Sequence, residues 1–164
     1  MDNNIINQQD KLLNPNKREI ISWSENYSTG IELVDNQHKE LVNLTNELYR
    51  ACRSGSSRAE AVFKDAMSRM VDYVRFHFST EQMIFDLIKY PDAKEHKKQH
   101  DTMVMNILDA VKEFSKGSKF VPHNFVRTLK DWILSHIAVY DKAYSTYILT
   151  QRKNGTLNED HLRG

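Results

Sequence analysis

Residues 77–100 read HFSTEQMIFDLIKYPDAKEHKKQH, and this stretch decides the fold. His77 and Glu81 are four residues apart before its single proline, and His96 and His100 are four residues apart after it. A spacing of four places two side chains on one face of an α-helix. A proline ends one helix and suits the first turn of the next. The stretch therefore predicts two consecutive helices, each carrying a polar pair on one face.

Apolar residues recur at steps of three and four through most of the chain and predict four helices. The predicted helices cover about 33–53, 57 to just before Pro91, Pro91 to about 117, and 122–150, with Ser57 and Glu60 as a capping box for the second. Short links between long helices favour antiparallel neighbours. The predicted fold class is all-α, an antiparallel up-down-up-down four-helix bundle.

The bundle is expected to occupy residues 23–150. Residues 1–22 are polar and rich in Asn and Gln, so we expect a flexible N-terminal extension, and residues 151–164 predict a polar C-terminal tail. Trp23 and Tyr27 belong to an ordered lead-in that can pack on the bundle. Deletion of residues 1–20 is expected to leave the bundle intact.

The composition excludes several classes of function. A formal net charge of +1 offers no electrostatic footprint for nucleic acid. The chain has no apolar run of about 18 residues, so we expect no membrane span. Cys52 is the single cysteine and cannot form an internal disulfide, which favours a reducing, cytoplasmic setting.

Ionisable side chains interrupt the apolar faces of all four predicted helices. Buried ionisable groups are costly unless they are paired or bind a metal. In an antiparallel bundle, the starts of the first and third helices meet the ends of the second and fourth. Seven residues converge at that level: His38, His77, Glu81, His96, His100, His136 and Asp141.

Five imidazoles and two carboxylates are too many ligands for one ion, and they suit two metals bridged by carboxylates. A mixed nitrogen and oxygen donor set fits iron well, whereas zinc usually takes four ligands and often thiolate. Zinc and manganese stay open as alternative metals.

The ordered motifs carry a family resemblance that covers roughly residues 21–149. VDNQHKEL at 34–41, HFSTE at 77–81, HKKQH at 96–100 and WILSHIAVYD at 132–141 resemble the hemerythrin family, especially bacteriohemerythrins. The resemblance implies that His96, His100 and His136 bind one iron, and that His38 and His77 bind the other, which keeps an open position. It also implies that Glu81 and Asp141 bridge both irons beside an oxo or hydroxo bridge.

The implied function is reversible binding of dioxygen without turnover, so we do not expect an enzyme. Leu41 lies one turn after His38, and Ile133 and Ile137 flank His136, so all three can line an apolar oxygen pocket. The resemblance also places pocket residues there. It identifies no protein partner.

Two other functions remain open at the sequence level. A sensor or stress-response protein could use the same site to detect oxygen, nitric oxide or iron. A di-iron oxidase is disfavoured, because such bundles use Glu-x-x-His pairs and no histidine here has a glutamate three residues before it.

The spacing of His136 and Asp141 needs a local explanation. The two residues are five apart, and on an ideal helix they would point about 140° apart. Either a π-bulge brings them to one face, or Asp141 approaches the metals from the side of a regular helix. We favour the regular helix, because no proline or glycine lies between them.

Overall fold

A computed structural model describes residues 19–54, 59–117 and 121–157. The predicted capping residue Ser57 and most of the two predicted terminal segments lie outside these ranges. The helices are α1 (Glu32–Arg53), α2 (Ala59–Ile88), α3 (Ala93–Ser115), α4 (Val121–His136) and α5 (Lys142–Lys153). A π-helical segment, Ile137–Asp141, joins α4 to α5, and we call these three together the fourth helix.

The four helices form a closed ring of neighbours. Helix α1 packs against α2 and α4, and α3 packs against both α2 and α4. The described ranges contain helices, turns and bends but no strand. The predicted all-α four-helix bundle is therefore confirmed. None of the helices in these ranges is long and apolar enough to cross a membrane.

The link between α2 and α3 is closed by the backbone as well as by proline. Lys89 adopts a left-handed conformation with φ 53°, and the Tyr90 amide donates to the Phe85 carbonyl over 3.0 Å. This pattern is a Schellman-type end. Tyr90 is buried against Phe85, with ring centroids 5.3 Å apart. The third helix consequently begins at Ala93, slightly later than the predicted start at Pro91.

The apolar core is divided into two parts. The larger cluster includes Leu41, Val74 and Met103, and the smaller one includes Val34 and Ile84. Each helix passes from one cluster to the other through the level of the predicted metal ligands. A layer of buried polar side chains therefore separates the two apolar clusters, near the end where α2 meets α3.

The lead-in joins the bundle earlier than expected. The side chain of Asn46 on α1 accepts hydrogen bonds from the amides of Ile20 and Ile21 and donates to the Ile21 carbonyl. Ile21 is buried, and Tyr27 packs against the larger cluster. Residues 20 and 21, which belong to the predicted flexible extension, are thus held against α1.

Candidate metal centre

All seven predicted ligands are buried and lie together in the polar layer. Each helix of the ring contributes: His38 from α1, His77 and Glu81 from α2, His96 and His100 from α3, and His136 and Asp141 from the fourth helix. The five imidazoles all direct Nε2 toward the cluster. The structure therefore brings together the whole predicted set.

Three of the histidines form a tight triangle. The Nε2 atoms of His96, His100 and His136 are separated by 3.1, 3.0 and 3.1 Å. Two nitrogens about 2.1 Å from one ion lie about 3.0 Å apart at right angles and about 3.4 Å apart in a tetrahedron. The triangle thus matches one face of an octahedron, the geometry that suits a six-coordinate ion.

The two carboxylates lie between the triangle and the remaining histidines. Glu81 Oε2 is 3.0 Å from His100 Nε2 and 3.8 Å from His77 Nε2. Asp141 Oδ2 is 3.0 Å from His38 Nε2, while its Oδ1 is 3.2 Å from His136 Nε2. Each carboxylate therefore reaches a histidine on both sides of the cluster.

The donor atoms divide into two groups, each with its atoms within 4.8 Å of one another. One group is formed by Glu81, His96, His100 and His136, and the other by His38, His77, Glu81 and Asp141. Within the described ranges, both oxygens of Glu81 and of Asp141 are buried without a hydrogen bond of good geometry. Buried anions without compensation are strongly unfavourable. The residues present consequently fit two cations that share carboxylate ligands.

Burial and neighbouring charges shift the pKa values of the candidate ligands in different directions. Burial and the nearby Asp141 carboxylate raise the pKa of Glu81, but the surrounding imidazoles outweigh both effects and hold this pKa at about 2. Burial lowers the pKa of His77 to about 4. Glu81 is thus ionised and His77 neutral at neutral pH, as metal ligands must be. Burial lowers the pKa of His96, but the carboxylates of Asp141 and Glu81 outweigh this effect and raise it to about 9. His96 must therefore release a proton when a cation binds.

The expected regular helix at His136 and Asp141 was wrong. The backbone from Ile137 to Asp141 is π-helical, and the Lys142 amide donates to the Ile137 carbonyl, five residues earlier. A π turn holds one more residue than an α turn. The extra residue brings residues five apart onto one face, so Asp141 enters the core directly instead of from the side.

Aromatic rings fix two histidines of the triangle. Phe78 is stacked on His100 at 3.6 Å between centroids, and Trp132 is stacked on His136 at 4.2 Å. The sequence analysis did not assign either aromatic residue a role. Their positions in the sequence could have indicated contact with the predicted ligands, since Phe78 follows His77 and Trp132 lies one turn before His136.

Gln37 and Tyr144 are two further polar residues that the sequence analysis missed. Gln37 is buried and contacts His77 across the α1–α2 interface. Tyr144 is fully buried one turn after Asp141, and burial raises the pKa of its hydroxyl well above the ordinary value. Tyr144 is therefore a neutral phenol beside the cluster.

The predicted pocket residues Leu41, Ile133 and Ile137 are buried members of the larger apolar cluster. Each is close in sequence to His38 or His136. These three residues lie on the side of the polar layer that holds the larger apolar cluster, away from the link between α2 and α3. Their role toward oxygen stays a prediction.

A four-helix bundle with this buried donor set defines a cation-binding helical protein. The family model described as "Hemerythrin HHE cation binding domain" matches residues 29–148, so the chain belongs to the hemerythrin family. Its relatives include a bacteriohemerythrin from Methylococcus capsulatus, 29% identical over 126 residues, covering 76% of this chain and 94% of the relative. A hemerythrin-like protein from Naegleria gruberi is 29% identical over 123 residues, covering 75% and 89%.

Solved structures agree with the sequence relatives. A wild-type hemerythrin crystal structure aligns with a TM-score of 0.71 and 27% identity, covering 77% of this chain and 96% of that chain. The part outside the alignment is about a quarter of this chain. The alignment therefore takes in nearly all of the hemerythrin chain and about three quarters of this one.

Proposed function

We propose that the chain binds dioxygen reversibly at a di-iron centre, and that it carries, stores or delivers dioxygen. Membership of the hemerythrin family and the four-helix fold support a di-iron protein that binds oxygen. Carriage without turnover is the specific role that we propose for this chain.

The proposal assigns three histidines to one iron and two to the other. His96, His100 and His136 would hold the first, and His38 and His77 the second, with Glu81 and Asp141 shared. Two ferrous ions, with an oxo or hydroxo bridge between them, would supply the two electrons that reversible dioxygen binding requires. The observation that carries the proposal is the unequal division of histidines between the two groups of donor atoms, three in one and two in the other. A metal beside His38 and His77 would have fewer protein ligands, which would leave room there for dioxygen.

The chain's own residues would protect that position. Leu41, Ile133 and Ile137 offer aliphatic groups and no proton. A lining of this kind excludes water and proton donors that would otherwise promote irreversible oxidation. The pocket residues therefore favour release of dioxygen over its reduction.

An optical experiment tests the proposal. Iron-loaded, reduced protein is exposed to air, returned to low oxygen and cycled several times while its spectrum is recorded. We expect a charge-transfer band that appears with oxygen and disappears without it. A band that never reverts would contradict reversible carriage, and steady oxygen consumption with a reductant present would favour the oxidase alternative.

A second measurement addresses the sensor alternative. A carrier should saturate and release oxygen with little change in the fold of the bundle. A sensor must change conformation in order to pass on a signal. Hydrogen exchange of the oxygenated and deoxygenated forms should differ only near the polar layer. A large difference in distant helices would favour the sensor.

A further inference from the structure

The outer nitrogen of His77 is held by a residue from another helix. His77 Nδ1 lies 2.9 Å from Oε1 of Gln37 on α1, and both side chains are buried. The contact joins residues 40 positions apart in the chain. It is therefore a specific tertiary contact on the side of the ring opposite the metal-facing Nε2.

The surrounding hydrogen bonds fix which way the Gln37 amide points. The Thr80 hydroxyl donates to the Phe76 carbonyl over 3.1 Å, so its oxygen accepts at the second contact. Gln37 Nε2 lies 3.1 Å from that oxygen and donates to it. Gln37 Oε1 must then face His77 and accept from Nδ1–H.

This arrangement fixes the proton of a neutral imidazole. With the proton on Nδ1, the lone pair of Nε2 points into the cluster and is available to a cation. Within the described ranges, Nδ1 of His38, His96 and His136 is buried without a hydrogen-bond partner. At His77, by contrast, the described ranges show a hydrogen bond between the outer nitrogen, Nδ1, and the side chain of Gln37.

The chemical nature of the acceptor is the second part of the inference. A carboxylate acceptor makes a coordinated imidazole more basic and stabilises the higher charge of an oxidised metal. The amide of Gln37 is neutral and polarises the ring less. The metal held by His77 should therefore keep a higher midpoint potential than it would with a carboxylate in this place.

We propose that Gln37 is a positioning residue that fixes the tautomer and ring plane of His77 and, as a neutral acceptor, holds the His38–His77 metal position against oxidation. The first part requires only that this position binds a metal, and the second rests on the proposed di-iron function. The two parts are tested separately.

Zinc alone tests the first part, because it needs neither iron nor oxygen. Zinc affinity is measured by competition with a chromophoric chelator for the wild type, Gln37→Leu and Gln37→Glu. Gln82→Leu is the matched control, because the Gln82 amide bonds to Asp86 on the outside of α2. We expect Gln37→Leu to weaken one of two zinc sites about 10–100-fold, and Gln37→Glu and the control to keep both.

A direct readout follows the proton itself. In the zinc-loaded protein, nitrogen-15 NMR should show His77 Nδ1 as a protonated nitrogen with slow exchange in the wild type and in Gln37→Glu. The slow exchange should be lost in Gln37→Leu. Unchanged exchange in Gln37→Leu, or equal weakening of both zinc sites, would overturn the positioning role.

The iron-loaded protein tests the second part. Gln37→Glu should lower the midpoint potential and shorten the lifetime of the oxygenated form, whereas Gln82→Leu should change neither. An unchanged or higher potential in Gln37→Glu would overturn the role of the neutral acceptor. If the wild type does not bind dioxygen, the proposed function fails, but the zinc and NMR results still decide the positioning role. If Gln37→Leu does not fold, the zinc-loaded wild type still tests the positioning role, because fast exchange at His77 Nδ1 there would overturn it, and Gln37→Glu still tests the neutral acceptor through its potential.

Discussion

Ile133 is the residue at which the predicted oxygen pocket is easiest to test. It is buried, and it lies one turn before Ile137 and three residues before His136. Ile133→Glu introduces an acidic group into the proposed oxygen pocket, so we expect autoxidation to become at least several-fold faster. The measurement is the half-life of the oxygenated form at constant temperature.

Two further variants serve as a milder substitution in the pocket and as a surface control. Ile133→Thr adds a smaller polar group and should have a weaker effect in the same direction if Ile133→Glu does not fold. Leu108→Glu places the same charge on the exposed surface of α3 and should leave the half-life unchanged. Equal half-lives in the wild type and both Ile133 variants would refute the pocket assignment.

Substitution of Glu81 should reduce the number of irons that the chain retains. It is shared by the two groups of donor atoms, so Glu81→Ala removes a ligand from both. We expect this variant to retain at most one iron per chain, as measured by elemental analysis after loading. His123→Ala changes an exposed histidine and should retain the wild-type iron content. Equal loss in both variants would mean that the wrong histidines were chosen.

At the residue scale, the sequence predicted which polar residues meet in the core, because their spacing is regular. His77 with Glu81 and His96 with His100 share helix faces by simple periodicity. Gln37 was not predicted because its partner, His77, lies on another helix, 40 residues away in the chain. A signal was present, since Gln37 lies between Val34 and Leu41 on an otherwise apolar face of α1.

Among the elements, the π-helical segment is the feature that periodicity could not predict. The absence of proline and glycine favours a regular helix between His136 and Asp141. Tertiary structure accounts for the π turn, because this turn lets His136, Asp141 and Tyr144 all point into the core, where they are buried. The five-residue spacing of His136 and Asp141 allowed a π-bulge, but local sequence did not decide between the bulge and a regular helix.

Single-residue deletions test the role of this segment. Removing Val139, which is 59% exposed, should convert the π turn into an α turn with His136 and the aspartate four residues apart. Such a pair still shares a face, so we expect a folded variant that retains two irons. Its melting temperature should equal or exceed that of the wild type.

The matched deletion removes Asp131, an exposed residue in the regular part of α4. This deletion rotates the following residues by about 100° relative to the preceding ones. It should expose part of the core and reduce the iron content sharply. Similar iron contents for the two deletions would contradict the interpretation of the π-helical segment as one inserted residue.

The lead-in gives a second test at the scale of elements. Asn46→Ala removes the partner of two amides and one carbonyl near Ile21. Unpaired buried polar groups cost about 1–3 kcal/mol, so we expect a loss of about 2 kcal/mol in the free energy of unfolding, measured with urea. Asn43→Ala, at an exposed position on the same helix, should have almost no effect. Equal stability of both variants would show that the lead-in contributes nothing.

For the whole molecule, the polar layer makes stability depend on metal. It places five imidazoles and two carboxylates between two apolar clusters, where they are poorly solvated. A metal at about a thousand times its dissociation constant adds about 4 kcal/mol of stability, and about 1 kcal/mol moves the Tm of a chain this long by about 2–4 °C. Chelation should therefore lower Tm by about 10 °C or more, as measured by circular dichroism.

The control for metal removal is reconstitution. Adding ferrous iron back under anaerobic conditions should restore the original Tm. An unchanged Tm after complete removal of metal would mean that the cluster is stable by itself, contrary to the two-cation interpretation.

At this scale, the sequence alone predicted the architecture and the level at which the seven buried polar residues meet. Long helices with short links leave few arrangements, and His38, His77, His96 and His136 mark the same end of the bundle. The stacking of Phe78 on His100 and of Trp132 on His136 depends on ring orientations that only packing determines. Periodicity could not provide them.

We propose that the chain takes up and releases dioxygen at a pair of irons without consuming it. An oxygen electrode combined with iron analysis tests this claim most directly. We expect two irons per chain and one dioxygen released per pair when the oxygen pressure is lowered, with the same amount taken up again in later cycles. Uptake that is not recovered, or no uptake by protein with both irons bound, would contradict it.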